Sequence, residues 1–364
     1  MACRPLKATI IEGGAQLARV GGVEVVDRFS EPALEYKTAR EAVALYPAHE
    51  RALLEVGGRD RVDWLHNLLT NDIKALSPGR GCYSFALDSR GRILMDLNVL
   101  ADEEVIRIDI DRSLVPKALA HFDRYTFSED VTIHDASDET DRLFLLGAGL
   151  EQLSEAIGIR DALGCEPLGV TLMSLHGIPV RAVRHGTFGL PALELHVPAE
   201  RAADGWMFLT KAGESVGLRP IGWRTMRTLR IEAGVPVYGR DIDESVLPAE
   251  TNQLERAVSF TKGCYIGQEI VARMKTHGSV ARRMVGLRLM DAPLEMPHDK
   301  LLLAEGKAVG RLTSACESPA VGGPIALAYL SAKWATAGRR VQVASDPPVE
   351  AEVVELPFSA PTAK

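Results

Sequence analysis

The sequence predicts an α+β protein that ends in a small all-β barrel. Strand-like and helical segments follow one another without strict alternation over the first 280 residues, which favours α+β over a doubly wound parallel sheet. From about residue 281 onward, short strands with turn signals replace the helices, as is typical of a small barrel. A chain of 364 residues is long enough for two or three such domains.

The first predicted α+β domain combines residues 1–135 with residues 221–280. In it, "ALLEV" predicts a strand, and "RDRVDWLHNLL" predicts a helix with Val62, Leu65 and Leu69 on one apolar face. The stretch "GCYSFALDSRGRILMDLNVL" alternates and turns at its S-R-G, which predicts a β-hairpin. Further along, "SLVPKALAHFDRYTF" predicts an amphipathic helix.

The second α+β domain is predicted over residues 136–220 and the barrel over residues 281–364. Strand patterns in the second domain include "RLFLLGAG" and "ALELHVPA", and "LEQLSEAIG" and "AADGWMFLTKAG" are helical. After this domain, "GWRTMRTLRIEAG" predicts a helix that is closed by Gly234.

Composition narrows the functional classes. The net charge is -7, and an acidic chain does not favour broad nucleic-acid binding, although "RMKTHGSVARR" is locally basic. Neither a secretory signal nor an apolar run of membrane-spanning length is found. Five cysteines lie far apart without a CxxC, which argues against a disulfide framework or a self-contained metal or iron–sulfur site. We therefore expect a cytoplasmic protein in a reducing compartment.

One stretch, "FTKGCYIGQEIVARMK" at residues 260–275, concentrates reactive chemistry. Cys264 lies between Gly263 and Gly267 and close to Lys262. A nearby ammonium or a helix N-terminus lowers the pKa of a thiol, and glycines let backbone amides approach a ligand closely. This pattern is consistent with a reactive thiol.

Other interpretations of Cys264 stay open on the residues alone. A cysteine in a glycine turn is often simply buried. A nucleophilic cysteine also needs an orienting base, and His277 is close in sequence only. The segment "GQEIVARMK" predicts a helix start with Glu269 and Arg273 as an i,i+4 ion pair.

Several acidic residues are further candidates. Asp96 follows apolar residues on the predicted hairpin, where a carboxylate is either a satisfied structural acid or a ligand for a polar group in a cavity. Arg230, Glu232 and Glu250 lie in "LRIEAGVPVYGRDIDESVLPAE", and acids without a histidine at fixed spacing make a weak metal site. The "TND" after the first helix is most simply a helix-terminal turn.

Taken together, these stretches resemble one family. "RALLEVGGRDRVDWLHNLLTNDI", "GRILMDLNVL", "LRIEAGVPVYGRDI" and "VGRLTSACESPAVGGPIALAYL" occur in the order seen in the glycine-cleavage T-protein (aminomethyltransferase) superfamily. "KGCYIGQE" is similar to the K-G-C-[FY]-x-G-Q-E signature of its YgfZ-type branch. The motif residues are Lys262, Gly263, Cys264, Tyr265, Gly267, Gln268 and Glu269.

The resemblance implies three lobes around a central tetrahydrofolate pocket. It also implies a factor that supports iron–sulfur cluster assembly or repair, including that of a tRNA-thiolating radical enzyme, with Cys264 as the working thiol. One cysteine cannot hold a cluster that usually takes four thiolates, so iron–sulfur enzymes or cluster carriers are the expected partners. The family's folate-facing aspartate matches Asp96, and we assign Arg230, Glu232 and Glu250 to the same predicted folate site. We expect a monomer with no resident metal.

One position departs from the family pattern. T-proteins carry a segment like Y-T-G-E-x-G-F-E, whose first glutamate is expected to hold the pterin. The corresponding "TFGLPALELHV" keeps Gly189 and Glu194 but has Leu190 at that glutamate. A buried donor without its acceptor costs about 1–3 kcal/mol, which is roughly tenfold to more than a hundredfold in affinity.

This departure argues for weaker folate binding and against aminomethyl transfer from a lipoyl carrier. Two alternatives to the iron–sulfur role nevertheless stay open. One is a tetrahydrofolate-dependent aminomethyltransferase of the glycine cleavage system. The other is a non-catalytic folate-binding scaffold in which Cys264 is merely packed.

Overall fold

A computed structural model describes residues 5–277, 280–290 and 299–358 of the chain. Its strands are β1 Gln16–Val20, β2 Val23–Arg28, β3 Ala44–Pro47, β4 Arg51–Gly57, β5 Gly81–Leu87, β6 Ile93–Ala101, β7 Ile106–Asp111, β8 Thr132–Asp135, β9 Thr140–Leu146, β10 Val170–Leu175, β11 Ile178–His185, β12 Ala192–Pro198, β13 Arg219–Pro220, β14 Arg282–Leu289, β15 Leu301–Ala304, β16 Lys307–Ser318, β17 Gly323–Ser331, β18 Arg340–Val343 and β19 Val349–Val354. Its α-helices are α1 Pro5–Glu12, α2 Pro32–Glu41, α3 Arg61–Leu68, α4 Val115–Arg124, α5 Leu150–Ala156, α6 Arg160–Leu163, α7 Ala202–Ala212, α8 Trp223–Glu232, α9 Leu254–Ala257 and α10 Gln268–His277.

The first lobe is built on an antiparallel five-stranded sheet in the order β5-β6-β7-β4-β8. Helices α3 and α4 bury their apolar faces against it, because every third or fourth residue of each helix is apolar. The predicted "ALLEV" strand lies in β4, the predicted helix is α3, and the predicted hairpin is β5–β6, so all three predictions are confirmed. The shared core includes Trp64, Leu65, Leu97, Val99, Ile108 and Phe122.

The second lobe contains a six-stranded sheet in the order β10-β11-β12-β9-β3-β13. Among the described strands of this sheet, β3 and β13 form the one parallel pair. The domain division predicted from the sequence placed β3 in the first lobe. All four residues of β3 are buried, so its backbone N–H and C=O groups need hydrogen-bond partners along both edges, and β9 and β13 provide them. The chain therefore crosses from the second sheet to the first at residues 48–50.

The third lobe is a closed barrel in the order β14-β17-β16-β15-β18-β19, which confirms the predicted all-β ending. Alternate strand residues point inward and form an aliphatic core. The α+β architecture with three lobes is therefore confirmed. The barrel core includes Leu287, Leu302, Leu312, Ala328, Leu330 and Val353.

Helix α8 connects the second lobe to the barrel. It ends as predicted at Gly234, which adopts φ +69° while Val235 donates its N–H to the carbonyl of Arg230 at 2.8 Å. The helix packs against β16 of the barrel and against α2. None of the described helices is long and apolar enough to cross a lipid bilayer.

Candidate functional site

A cavity of about 520 Å³ opens where the two sheets meet the turn between α8 and α9. Its wall comes from the β3–β4 crossing, from β5, β6 and β7, and from β9 and β12. The volume lies in the range of small-molecule sites, which are mostly apolar with a few fixed polar groups. No group of three His, Cys, Asp or Glu side chains within the described residues is placed to hold a metal ion.

Asp96 lies in the cavity wall. It accepts a hydrogen bond from the Tyr83 hydroxyl at 2.9 Å. Burial raises the pKa of Asp96, and Arg51 and the Tyr83 hydrogen bond only partly oppose this shift. Asp96 is therefore held closer to its protonated form than a free aspartic acid.

Asn98 lies two residues further along β6 and so on the same face of the strand. Its amide nitrogen donates to Asp109 at 2.7 Å, but its Oδ1 is buried without a hydrogen-bond partner among the described residues. Burial raises the pKa of Asp109, yet Arg142 and Arg51 together hold it below its usual value. The wall thus contains an ionised acid held by two arginines and a free acceptor at Asn98.

The opposite wall joins aromatic rings to a second carboxylate. Across neighbouring strands Tyr46 pairs with Phe144, and Phe144 pairs with Glu194, so all three side chains share one face. Glu194 accepts from His185 Nε2 at 3.0 Å. Burial would raise the pKa of Glu194, but Arg142 and the neighbouring histidines hold it well below the usual range.

Leu190 is not one of the described residues that line the cavity. It is 8% exposed and packs in an apolar cluster with Tyr46 and Phe144. Glu194 instead supplies an ionised acceptor to this end of the cavity. The expectation that Leu190 leaves a pterin donor without an acceptor stays a prediction, and Glu194 is the acid of this segment that faces inward.

Sequence reasoning missed Glu50, which lies at the crossing between the sheets. Its carboxyl accepts a hydrogen bond from the Tyr46 hydroxyl at 2.7 Å and lines the cavity. Burial raises the pKa of Glu50 to about 7 despite this bond. Only its position directly before a predicted strand marks it in the sequence, and that position carries no functional signal.

Arg230 lies away from the cavity, although the sequence placed it in the predicted folate site. Its guanidinium donates to Asp241 and Ser314, each at 2.8 Å, and is nearly fully buried. Ser314 belongs to the barrel strand β16, so this arginine joins α8 to the barrel.

Glu232 is likewise outside the described cavity wall. Its buried carboxylate accepts hydrogen bonds from the hydroxyls of Tyr36 at 2.9 Å and Ser318 at 2.5 Å, and it pairs with Arg40. These three partners come from α2 and the barrel, so Glu232 ties both to α8.

Glu250 completes the set that the sequence assigned to folate, and it too does not line the described wall of the cavity. It accepts from the Leu247 N–H at 3.0 Å and pairs with Arg282 at 3.2 Å. Of the four acids and bases assigned from the sequence, Asp96 alone contributes to the described cavity wall.

The thiol loop, residues 262–267, lies on the outer surface of the first lobe. Cys264 is a free, exposed thiol and does not occur among the described residues of the cavity wall. The helix predicted after it is confirmed as α10, but this begins at Gln268, so the thiol is not in its first turn. The predicted ion pair of Glu269 with Arg273 is also present.

The sequence suggested that the Lys262 ammonium lies beside the thiol, but it points to other groups. This ammonium is buried and donates to the carbonyl oxygens of His66, Leu69 at 2.6 Å and Asn71 at 2.8 Å. Burial lowers the pKa of Lys262 to about 8. An ammonium has three N–H donors, and all three are used. Lys262 therefore anchors the loop and has no donor left for Cys264.

The far end of the thiol loop is held by a close backbone approach. Gly267 adopts φ +82°, and a Cβ there would come within 2.7 Å of the Asp88 carbonyl oxygen. Tyr265 is buried in the core beneath the loop. The side chain of His277 lies outside the described residues, as do Cys3 and part of the basic segment 273–283.

Two protein-family models match successive parts of the chain and together cover nearly all of it. Residues 6–262 match the GCVT N-terminal domain, and residues 282–359 match the glycine cleavage T-protein C-terminal barrel domain. The chain therefore belongs to the glycine cleavage T-protein family.

Relatives and a solved structure cover nearly the whole chain. It is 30% identical over 358 residues to the aminomethyltransferase of Geobacillus kaustophilus, covering 97% of both chains. It is 28% identical to the aminomethyltransferase of Bacillus subtilis, covering 97% of this chain and 98% of that one. The fold is similar to the glycine cleavage system aminomethyltransferase T from Bartonella henselae, with a TM-score of 0.87 and 21% identity over 98% of this chain and 97% of that one. The assignment to the YgfZ-type branch rests on the motif alone.

Proposed function

We propose that the central cavity binds tetrahydrofolate. The observation that carries this proposal is a roomy cavity that combines an aromatic wall with an ionised carboxylate and an amide oxygen that lacks a donor. A reduced pterin has two apolar ring faces and an edge of N–H donors, so it needs both features in one place. Tyr46 and Phe144 offer ring faces, while the orphaned Asn98 Oδ1 and the ionised Glu194 offer acceptors.

The opposite end of a folate carries a glutamate carboxylate, which calls for a cation. Arg256 lies in the cavity wall with its guanidinium 4.0 Å from the centre of the Tyr83 ring. A guanidinium stacked on an aromatic ring keeps in-plane N–H donors available for a carboxylate. The cavity therefore contains a group suited to each end of the ligand.

When bound, tetrahydrofolate would supply the nitrogens that carry one-carbon units. Asp96 would sit in the wall beside it, with the Tyr83 hydroxyl fixing the direction of its carboxyl group. Because its pKa is raised by burial, this carboxyl is suited to hold a proton at the folate and release it. Asn98 and Glu194 would orient the ring.

Isothermal calorimetry with tetrahydrofolate tests this proposal. We expect Asn98→Leu, which keeps the side-chain size and removes the orphaned acceptor, to weaken binding by about tenfold or more. Glu41→Gln, a change at an exposed surface acid, should leave affinity unchanged. Absence of binding by the wild-type protein at high micromolar tetrahydrofolate would overturn the proposal.

Two activities build on the bound folate. The names of the relatives favour aminomethyl transfer, in which Asp96 would act at the folate. Glycine-cleavage turnover with a lipoyl carrier protein and tetrahydrofolate measures it directly. We expect turnover to be lost in Asp96→Asn if this is the activity, and the wild-type protein would show none if it is not.

The thiol loop favours the second activity, support of iron–sulfur cluster assembly or repair. Lys262 and Gly267 fasten both ends of this loop, while Cys264 stays exposed. Aminomethyl transfer inside the cavity would not require an exposed thiol at this position. A cluster passing through the protein would take one thiolate from Cys264 and its other ligands from a carrier or client, since clusters usually take four.

Substitution of Cys264 separates the two activities. Under the iron–sulfur proposal, Cys264→Ser fails to restore [4Fe–4S] enzyme activity in a strain that lacks the protein, whereas Cys165→Ser restores it. Cys165 is a suitable control because it is a free, half-buried cysteine. Full rescue by Cys264→Ser would remove the thiol from the mechanism. Glycine cleavage that persists in Cys264→Ser would favour the transferase.

A further inference from the structure

We propose that Lys262 is a positioning residue for Cys264 and that Asn71 couples the thiol loop to the cavity wall. Lys262 would fasten the loop to the C-terminal end of α3, and Asn71 would carry the effect of a bound ligand from the wall to that anchor. The ligand part of this inference rests on the proposed folate binding, but the anchoring part does not.

The anchor is a lysine buried against the end of a helix. Helix α3 ends at Leu68, and its last carbonyl groups have no intrahelical donors. The Lys262 ammonium supplies donors to the carbonyls of His66, Leu69 and Asn71, which are 191 to 196 residues earlier in the chain. A cation at this end of a helix is also favoured by the helix dipole. The side chain is only 8% exposed, so its bonds are not shared with bulk water.

The link to the cavity is the side chain of Asn71. Its amide nitrogen donates to the carbonyl oxygen of Tyr83 at 2.8 Å and to that of Arg256 at 3.0 Å. Both Tyr83 and Arg256 line the cavity, and the Arg256 guanidinium stacks on the Tyr83 ring. One asparagine therefore touches two walls of the cavity with its side chain and the Lys262 ammonium with its backbone.

Thr70 makes the segment rigid. Its hydroxyl donates to the Ala257 carbonyl at 2.7 Å and accepts from the Phe85 N–H at 2.9 Å, and its own N–H donates to the Phe85 carbonyl at 3.0 Å. The "TND" turn is thus bonded to β5 on one side and to α9 on the other. A shift of either wall moves the carbonyl groups that hold Lys262.

Hydrogen exchange followed by mass spectrometry tests the anchor without any ligand. The reporter is the segment 263–268, where the Ile266 N–H donates to the Asn67 carbonyl and the Gln268 N–H to the Tyr265 carbonyl. We expect Lys262→Met and Asn71→Ser to raise exchange there by about fivefold or more, a size typical of coupled sites. Lys74→Met is the matched control, because Lys74 is a half-exposed lysine that pairs with Asp63.

Exchange in both variants equal to that of Lys74→Met would overturn the anchor and the link. Asn71→Ser keeps the backbone carbonyl that accepts from Lys262, so it tests the link even if Lys262→Met does not fold. Thermal unfolding of each variant shows whether a faster exchange is local to the thiol loop.

Tetrahydrofolate supplies the second arm of the test. We expect saturating ligand to slow exchange of segment 263–268 and to change the alkylation rate of Cys264 in the wild-type protein, but not in Asn71→Ser. Calorimetric binding without either change would overturn the coupling and leave folate binding intact. Absence of binding would overturn the proposed function, and the ligand-free comparison would still decide the anchor.

Discussion

Glu232→Gln is the substitution that best separates a structural acid from a ligand-binding one. The sequence assigned Glu232 to the folate site, but its carboxylate is fully buried among Tyr36, Arg40 and Ser318. Glutamine keeps the shape and removes the charge that Arg40 pairs with. The variant should lose stability and keep its affinity for tetrahydrofolate.

The size of the loss follows from the burial of the pair. Breaking a buried ion pair by removing one partner costs about 3–5 kcal/mol. The Arg40 side chain is 22% exposed, so water recovers part of its solvation, and we expect about 2–3 kcal/mol. With an unfolding entropy of about 2.1 cal/mol/K per residue over 364 residues, the melting temperature should fall by about 3–4 °C.

Differential scanning calorimetry measures the melting temperature, and isothermal calorimetry measures the affinity in the same preparation. Glu41→Gln serves as the control, since Glu41 is a glutamate on α2 that is 66% exposed and should leave both quantities unchanged. A variant that melts like the wild-type protein but binds folate tenfold more weakly would refute the structural role of Glu232.

Three further predictions concern the cavity and the thiol loop. Folded Glu50 keeps its proton up to about pH 7, while the unfolded chain loses it near its ordinary pKa of about 4.5, so the protein loses stability between these values. Glu50→Gln should therefore be more stable than wild type by up to about 3 kcal/mol above pH 7 and show no such gain at pH 4. Urea unfolding measures both free energies, and an equal difference at the two pH values would contradict the prediction. Gly267→Ala should lose about 1–3 kcal/mol because of its positive φ, whereas Gly263→Ala, whose Cβ would meet its nearest neighbour at 3.9 Å, should not; equal melting temperatures would argue against the close approach. At pH 8 an alkylating agent should label the exposed Cys264 well before Cys82, because burial raises the pKa of Cys82 to about 12. Mass spectrometry that shows equal labelling of the two thiols would contradict the burial of Cys82.

Local patterns in the sequence were sufficient for much of the fold. The helix α3 and the hairpin β5–β6 were predictable because their apolar periods and turn residues are complete within about 20 residues. The residues alone left Asp96 open between a structural acid and a cavity ligand, and only the family resemblance assigned it to the folate site.

Partners that are distant in the chain were not predictable. Glu194 reaches the cavity through the pairing of β12 with β9, and that register is not written in either strand alone. Lys262 looked like a neighbour of the thiol, yet its acceptors lie nearly 200 residues earlier. Arg230 and Glu232 were assigned to the folate site, whereas the barrel residues that bind them come 84 and 86 residues later in the chain.

The position of β3 has a consequence for dissecting this protein into fragments. A polypeptide of residues 136–220 would contain every strand of the second sheet except β3, which lies between β9 and β13. Its β9 would then present an unpaired edge carrying Leu143, Phe144, Leu145 and Leu146, all buried in the intact chain. Exposed apolar edges of this kind pair with other copies, so such a fragment should aggregate. A polypeptide that also carries residues 5–47 would cover the edge.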